Sequence, residues 1–115
     1  MSLSLRQWDV VKVRINPEDR DEHPAVIVSP DEICSDSRRT KLNLLYGSSR
    51  RPAQAAQPHE VVLDEAEGLD RPTIFDCVYF YGVDRRKIQT RLGGVGAERR
   101  RRIGRTIVAS YRFPL

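Results

Sequence analysis

The chain has 115 residues, enough for one domain, and 39% of them are hydrophobic while 31% are charged. This balance allows a compact core of modest size. No run approaches the roughly 20 apolar residues of a membrane span, and none resembles a secretory signal. We therefore expect a soluble, cytoplasmic protein that makes no membrane contact.

The positive charge is nearly all arginine. The net charge is +4, and Lys12, Lys41 and Lys87 are the only lysines. Because the guanidinium fork matches phosphate and stacks on bases, this composition favours a nucleic-acid partner over a small neutral metabolite.

The two cysteines, Cys34 and Cys77, lack metal-site spacing, and we interpret them as reduced thiols.

The first predicted strand is WDVVKVRI (residues 8–15), where Val11, Val13 and Ile15 alternate with charged residues. A charged turn follows, and then the apolar strand PAVIVSP (24–30). Pro24 suits the start of a strand, and its ring restricts His23 to an extended conformation. The sequence therefore predicts that the imidazole of His23 lies at the start of a strand, on a conformationally restricted backbone.

The middle of the chain alternates polar connectors with apolar strands. The connector DEICSDSRRT (31–40) is expected to contain a short helical turn, and SSRRPAQAAQP (48–58) a mobile loop. Four further strands are predicted: KLNLLYG (41–47), HEVVLDE (59–65), TIFDCVYFYGV (73–83) and RKIQTRLGGV (86–95).

The C-terminal tail predicts a helix, because Ile103, Ile107 and Tyr111 recur every four residues. Residues 6–115 are expected to form one domain, preceded by a tail of residues 1–5. Short antiparallel strands in so small a chain usually curl up to remove their edges. We predict a mainly β protein with α structure: a small SH3-like barrel with a C-terminal helix.

Several motifs, taken in order, resemble the MazF/PemK/Kid toxins of prokaryotic toxin–antitoxin modules. WDVVKV and HPAVIVSPDE are similar to that family's GDvv.v strand and its RPavVvs motif, and LLYGSS is similar to a YGTS motif. The similarity continues through HEVVL, GLDRPTIFD and VDRRKIQTRLGGV, so that it covers roughly residues 6–112. It implies the barrel of the CcdB/PemK type.

The resemblance also implies an activity. Members of the family are homodimeric endoribonucleases that need no metal or other cofactor and are restrained by a cognate antitoxin. They cleave single-stranded RNA by attack of the ribose 2′-OH, leaving a cyclic phosphate. The family's catalytic arginine falls on His23, its threonine on Ser48 with Ser49 as the other candidate, and its acidic residue on Asp76, with a register that can slide by two residues.

Two positions depart from the family pattern. Serine retains the hydroxyl at position 48, but histidine at position 23 loses a permanent charge and a forked donor. His23 could carry out either proton transfer or, when protonated, stabilise charge. The nearby acids Asp19, Asp21 and Glu22 would favour the protonated form, and Arg20 would oppose it. The alternative is a surface histidine in a chain that has lost activity.

Further residues are candidates for RNA binding or for purely structural roles. The predicted RNA-binding set is Arg14, Ser49, Arg50, Arg51, Arg85 and Arg86. Residues 99–102, RRRR, span a helical turn and cannot all face one ligand. His59 is expected to have a plain surface role, and residues 79–81, YFY, to contribute to the core or a dimer contact.

Two functions therefore stay open. The first is an mRNA-cleaving toxin. The second is a catalytically degenerate barrel that binds RNA, or a protein such as gyrase, without cleavage. Loss of the family's arginine at position 23 is the feature that favours the second.

Overall fold

The computed structural model describes residues 4–14, 18 and 22–115. The strands are β1 (Asp9–Val13), β2 (His23–Ile27), β3 (Lys41–Ser48), β4 (Glu60–Leu63), β5 (Thr73–Asp76), β6 (Tyr81–Asp84) and β7 (Ile88–Gly94). The α-helices are α1 (Asp31–Cys34) and α2 (Ala97–Tyr111), and 3₁₀ turns span Ala53–Ala55, Glu65–Glu67 and Arg85–Lys87. No helix in the described ranges is long and apolar enough to cross a membrane. The predicted strand position Ile15 lies outside the described residues.

All strand pairs are antiparallel, and the order along the sheet is β4-β5-β3-β2-β1-β7, with β6 also paired to β3. The mainly β architecture with a C-terminal helix is confirmed. In the described ranges, however, the sheet is not closed: β4 and β7 end it without pairing to each other.

A 3₁₀ turn packs against β7 on the open side of the sheet. A Cβ atom on Gly68 would lie 2.2 Å from the Leu92 carbonyl oxygen, and one on Gly93 would lie 2.3 Å from the Glu67 carbonyl oxygen. Only glycine allows two backbones to approach so closely, and Gly68 also has a φ of 93°. Strand β7 therefore contacts this turn in addition to its partner strand β1.

The single strand predicted over residues 73–83 is wrong, because the structure divides it into β5 and β6. The Asp76 carboxylate accepts a hydrogen bond of 2.8 Å from the Val78 N–H, a local bond that competes with strand pairing. Beyond this bend, β6 pairs with the first half of β3, whereas β5 pairs with its last two residues. Both strands therefore use the same edge of β3.

The sheet is buried on both faces. The first core consists of Leu5, Val11, Val13, Ala25, Ile27, Cys34, Leu42, Leu44, Val83 and Ile88. The second consists of Val10, Val26, Leu45, Val61, Leu63, Leu69, Phe75, Cys77, Val95 and Ile103. Alternate residues of the central strands thus point to opposite cores. Leu5, assigned by prediction to the tail, belongs to the first core. Cys34 and Cys77 are buried, free thiols.

Helix α2 covers the second core, and the face predicted for it is confirmed. Ile103 is fully buried, Ile107 packs against the same core, and the Tyr111 hydroxyl donates to the Val78 carbonyl. Arg99 fixes the start of the helix through ion pairs with Asp64 and the buried Glu67. Its hydrogen bond lowers the pKa of the Asp64 carboxyl.

Candidate functional site

Strand register brings the three predicted catalytic residues to one face of the sheet. The ladder between β2 and β3 ends at the pair Ala25–Tyr46. His23 and Ser48 each lie two residues beyond that pair on their own strands. Pairing with β3 begins one residue after Pro24, which suits a residue that has no N–H to donate. Because side chains alternate along a strand, His23 and Ser48 share the first-core face.

Asp76 lies on this face as well. On β5, Phe75 belongs to the second core, so Asp76 points the other way. Ser48 is paired with Ile74, two residues from Asp76. Such diagonal neighbours have Cβ atoms about 7–8 Å apart. The region formed by His23, Tyr46, Ser48, Glu60 and Asp76 is called the site face below.

His59 is the partner of Asp76. Its Nε2 lies 3.9 Å from Asp76 Oδ2, and its carbonyl accepts a 3.0 Å hydrogen bond from the Cys77 N–H. Both side chains remain solvent-accessible, at 44% for His59 and 35% for Asp76. The histidine expected to have a plain surface role therefore forms an imidazole–carboxylate pair at the edge of the site face.

Glu60 lies directly opposite Asp76 in the β4–β5 ladder. Two carboxylates in such a pair repel each other unless cations compensate them. Arg51 forms an ion pair with Glu60 Oε2, and the Gln57 N–H donates to Oε1 over 2.9 Å. Burial alone would raise the pKa of Glu60, but the hydrogen bonds from Arg51 and Gln57 outweigh it and lower that pKa.

The same cluster is the place where a metal ion would find ligands. One ligand atom each from His59, Glu60 and Asp76 lies within 4.8 Å of the others. Both Glu60 oxygens, however, already accept hydrogen bonds, from Arg51 and Gln57. A cation would have to displace Arg51 from Glu60. The arrangement therefore favours the pairs Arg51–Glu60 and His59–Asp76 over a bound metal ion.

The predicted RNA-binding arginines divide into engaged and available side chains. Arg85 is half-buried and donates to the carbonyl oxygens of Ile33, Cys34, Asp36 and Arg39 at 2.8–3.3 Å. Arg86 is exposed but paired with Asp84 at 3.0 Å, and it lowers the pKa of that carboxyl to about 2. Arg14, Ser49 and Arg50 are exposed.

The loop after β3 orients the Ser48 hydroxyl. The Arg50 N–H donates to Ser48 Oγ over 3.3 Å, so the oxygen is held as an acceptor by its own loop. The hydroxyl proton stays available to a ligand. Of the charged neighbours predicted around His23, Glu22 is half-buried, whereas Asp19, Arg20 and Asp21 lie outside the described residues.

The aromatic run at residues 79–81 was predicted to contribute to the core or to a dimer contact, and the structure shows that it is not part of the core. Tyr79 is 63%, Phe80 41% and Tyr81 44% exposed. Tyr81 contacts Tyr46 on the site face, with ring centroids 4.2 Å apart. Phe80 stacks on Tyr111, which stacks on Phe113, at 5.7 and 5.8 Å. The reason is the bend after Asp76, which turns these rings outward.

The chain is similar to a known protein family. Residues 6–111 match the family model described as PemK-like, MazF-like toxin of type II toxin-antitoxin system. No curated protein sequence matches the chain.

Solved structures share the fold at low sequence identity. The toxin MazF-mt6 of Mycobacterium tuberculosis is 12% identical, with a TM-score of 0.75 over 93% of this chain and 99% of its own. A mycobacterial endoribonuclease in complex with its cognate antitoxin is 12% identical, with a TM-score of 0.74 over 97% of each chain. A MazE–MazF structure from Deinococcus radiodurans is 14% identical, with a TM-score of 0.75 over 98% of this chain and 100% of that one.

Proposed function

Because the chain belongs to the PemK-like, MazF-like toxins of type II toxin–antitoxin systems, we propose that it is a metal-independent endoribonuclease that cleaves single-stranded mRNA in the cytoplasm. The observation that carries the proposal is the convergence of His23, Ser48 and the His59–Asp76 pair on one face of the sheet. Cleavage of RNA needs groups of these types within reach of one phosphodiester.

In the proposed reaction the ribose 2′-oxygen attacks the adjacent phosphorus, and the bond from phosphorus to the 5′-oxygen breaks. His23, as neutral imidazole, accepts the proton from the 2′-OH. His59, oriented by Asp76, donates a proton to the departing 5′-oxygen. The products are a 2′,3′-cyclic phosphate and a free 5′-hydroxyl, so the proton count balances. Histidine suits both roles because its usual pKa, about 6.5, populates both forms near neutrality.

Ser48 has a different task in this scheme. Its hydroxyl proton donates to a non-bridging oxygen as negative charge develops on phosphorus, while the Arg50 N–H fixes the oxygen. Arg14, Ser49, Arg50 and Arg86 are proposed contacts to flanking RNA. Arg51 and Arg85 act first on the protein itself, through Glu60 and the carbonyls after α1.

The partners proposed are a cognate antitoxin and a second copy of the chain. An exposed apolar surface formed by Phe80, Val108, Tyr111, Phe113 and Leu115 supports a protein contact. We assign this surface to the homodimer. A monomer by light scattering at working concentration would refute that assignment.

The experiment that tests the activity is a cleavage assay on long single-stranded RNA in EDTA, with product ends mapped. We expect fragments with 5′-hydroxyl and cyclic phosphate ends, and no cleavage where a 2′-deoxy nucleotide replaces the attacking ribose. His23→Ala should abolish cleavage, while Arg38→Gln, on an exposed side chain paired with Asp36, should not change it. Intact RNA with the wild-type protein refutes the proposal.

The second candidate function is a non-catalytic RNA- or gyrase-binding module. The feature that favours it is His23, which the resemblance aligns with the family's arginine. Salt-sensitive RNA binding without cleavage would identify an RNA binder. Gyrase capture without RNA affinity would identify the gyrase-binding form.

A further inference from the structure

Several arginines on α2 have no acidic partner among the described residues, and three of them line the same cleft. Arg101, Arg102 and Arg105 are exposed, and within the described part of the chain none of them forms an ion pair. They contrast with Arg99, which is bound to Asp64 and Glu67. Neighbouring like charges on a helix are unfavourable unless an anion lies between them.

The three arginines line one or both of two adjoining clefts, which together are called the α2 groove below. One part, of about 610 Å³, is lined by Glu98, Arg101, Arg102, Arg105 and Thr106. The other, of about 350 Å³, is lined by Ala56, Gln57, Pro58, Glu60, Val62, Arg102 and Thr106. The two parts share Arg102 and Thr106 and therefore adjoin each other.

The second part of the α2 groove reaches one residue of the site face, Glu60. Strand β4 ends the sheet and, among the described strands, pairs only with β5. The groove passes along this outer strand to Glu60, which faces Asp76 in the ladder. Arg51 neutralises the Glu60 carboxylate, so the acid does not repel an anion there. Of the remaining lining charges, three are arginines and one is Glu98.

We propose that the α2 groove binds phosphates of the single-stranded RNA substrate beyond the bond that is cleaved. The inference rests on the proposed function, since it names where that same substrate continues. Arg101 and Arg105 are about 6 Å apart along the helix axis, with Arg102 between them. Their forked donors match phosphate oxygens. The second part of the α2 groove ends at Glu60 on the site face, and this position favours the RNA substrate over an acidic peptide as the occupant.

The test measures binding of a fluorescein-labelled, mixed-sequence 2′-O-methyl RNA 20-mer, which lacks the attacking hydroxyl, over a range of salt concentrations. The variant is Arg101→Gln/Arg102→Gln/Arg105→Gln. The matched control is Arg38→Gln/Arg39→Gln/Arg71→Gln, which removes the same charge from exposed residues outside the α2 groove. Equal thermal midpoints check that both variants fold.

We expect the α2 variant to bind the 20-mer roughly tenfold or more weakly at physiological salt, and its log–log salt slope to fall by about 2, at about 0.7 per lost single-strand phosphate contact. The control should change the slope by less than 1. Equal effects in both variants, or loss of polyglutamate binding with RNA binding intact, would overturn the inference. If the wild type binds and cleaves RNA but the α2 variant is unchanged, only this inference fails. If the α2 variant loses binding although the wild type never cleaves, the inference stands and the proposed activity fails.

Discussion

The sequence predicts that Arg51 binds RNA, but in the structure it forms an ion pair with Glu60. This ion pair leads to a prediction about stability. In Arg51→Met, Glu60 keeps only the hydrogen bond from Gln57 and lies opposite Asp76. The Glu60 side chain is 6% exposed, whereas that of Arg51 is 46% exposed. Removing one partner of a buried pair costs about 3–5 kcal/mol, and exposed pairs contribute 0–1. For this half-exposed pair we expect a loss of about 2 kcal/mol.

The assay is thermal unfolding followed by circular dichroism. At about 2.1 cal/mol/K per residue, the entropy of unfolding converts this loss into a fall in Tm of about 8 °C. Glu60→Gln in the Arg51→Met background should recover most of it, because the uncompensated charge is gone. Arg50→Met, on the neighbouring exposed residue, should shift Tm by no more than about 2 °C.

The pH dependence gives the same prediction a second check. Wild-type Glu60 has a lowered pKa, so its contribution is present at neutral pH and is lost as the pH falls through the folded pKa. In Arg51→Met the hydrogen bond and charge of Arg51 no longer lower the pKa of Glu60, so the acid is protonated at a higher pH than in the wild type and its protonation relieves the penalty. The two proteins should therefore differ most at pH 7 and converge only as the pH falls below the lowered pKa of wild-type Glu60. A Tm change within 2 °C at pH 7, or no recovery with Glu60→Gln, would refute the reasoning.

Three further predictions concern the proposed catalytic pair His59–Asp76, the connector after α1 and acid stability. His59→Ala and Asp76→Asn should each lower kcat by roughly 10²–10⁴-fold in the EDTA assay; a change within threefold in both would exclude the pair from the reaction. Arg85→Gln should lower Tm by several degrees, because four carbonyl contacts after α1 are lost; an unchanged Tm with weaker RNA binding would instead support the original RNA-binding assignment. Hydrogen bonds from arginine lower the pKa of Asp36, Asp64 and Asp84, the last to about 2. Their stabilisation is present above the unfolded pKa, so Tm should fall between about pH 4 and pH 2; a flat Tm across that window would contradict it.

The fold could be predicted where a pattern is local. Alternation identified β1, and four-residue recurrence identified the buried face of α2. The division of residues 73–83 could not be predicted, because the apolar and aromatic run is continuous. The break depends on a single hydrogen bond from the Val78 N–H to Asp76.

The candidate site shows the same limit. The resemblance pointed to His23, Ser48 and Asp76, but it gave no role to His59. The contact between His59 and Asp76 depends on the β4–β5 register, in which Glu60 pairs with Asp76, a residue sixteen positions further along the chain. The partners of Arg51 and Arg85 are likewise non-local. The positions of arginines in the sequence therefore could not distinguish those that bind groups of the protein itself from those available to bind a ligand.

The resemblance aligns His23 with an arginine of the family, and this alignment leads to a final prediction because histidine and arginine differ in their proton chemistry. A neutral imidazole accepts a proton near pH 7, whereas a guanidinium stays protonated and acts only as a fixed charge. If His23 is the base, His23→Arg should lose cleavage at every pH, and wild-type kcat should depend on pH near neutrality. His23→Gln, which accepts a hydrogen bond but does not titrate, serves as the matched control and should be equally inactive. An active His23→Arg with a rate independent of pH from 6 to 9 would show that position 23 stabilises charge on the phosphorane, and the base would have to be sought at Asp76.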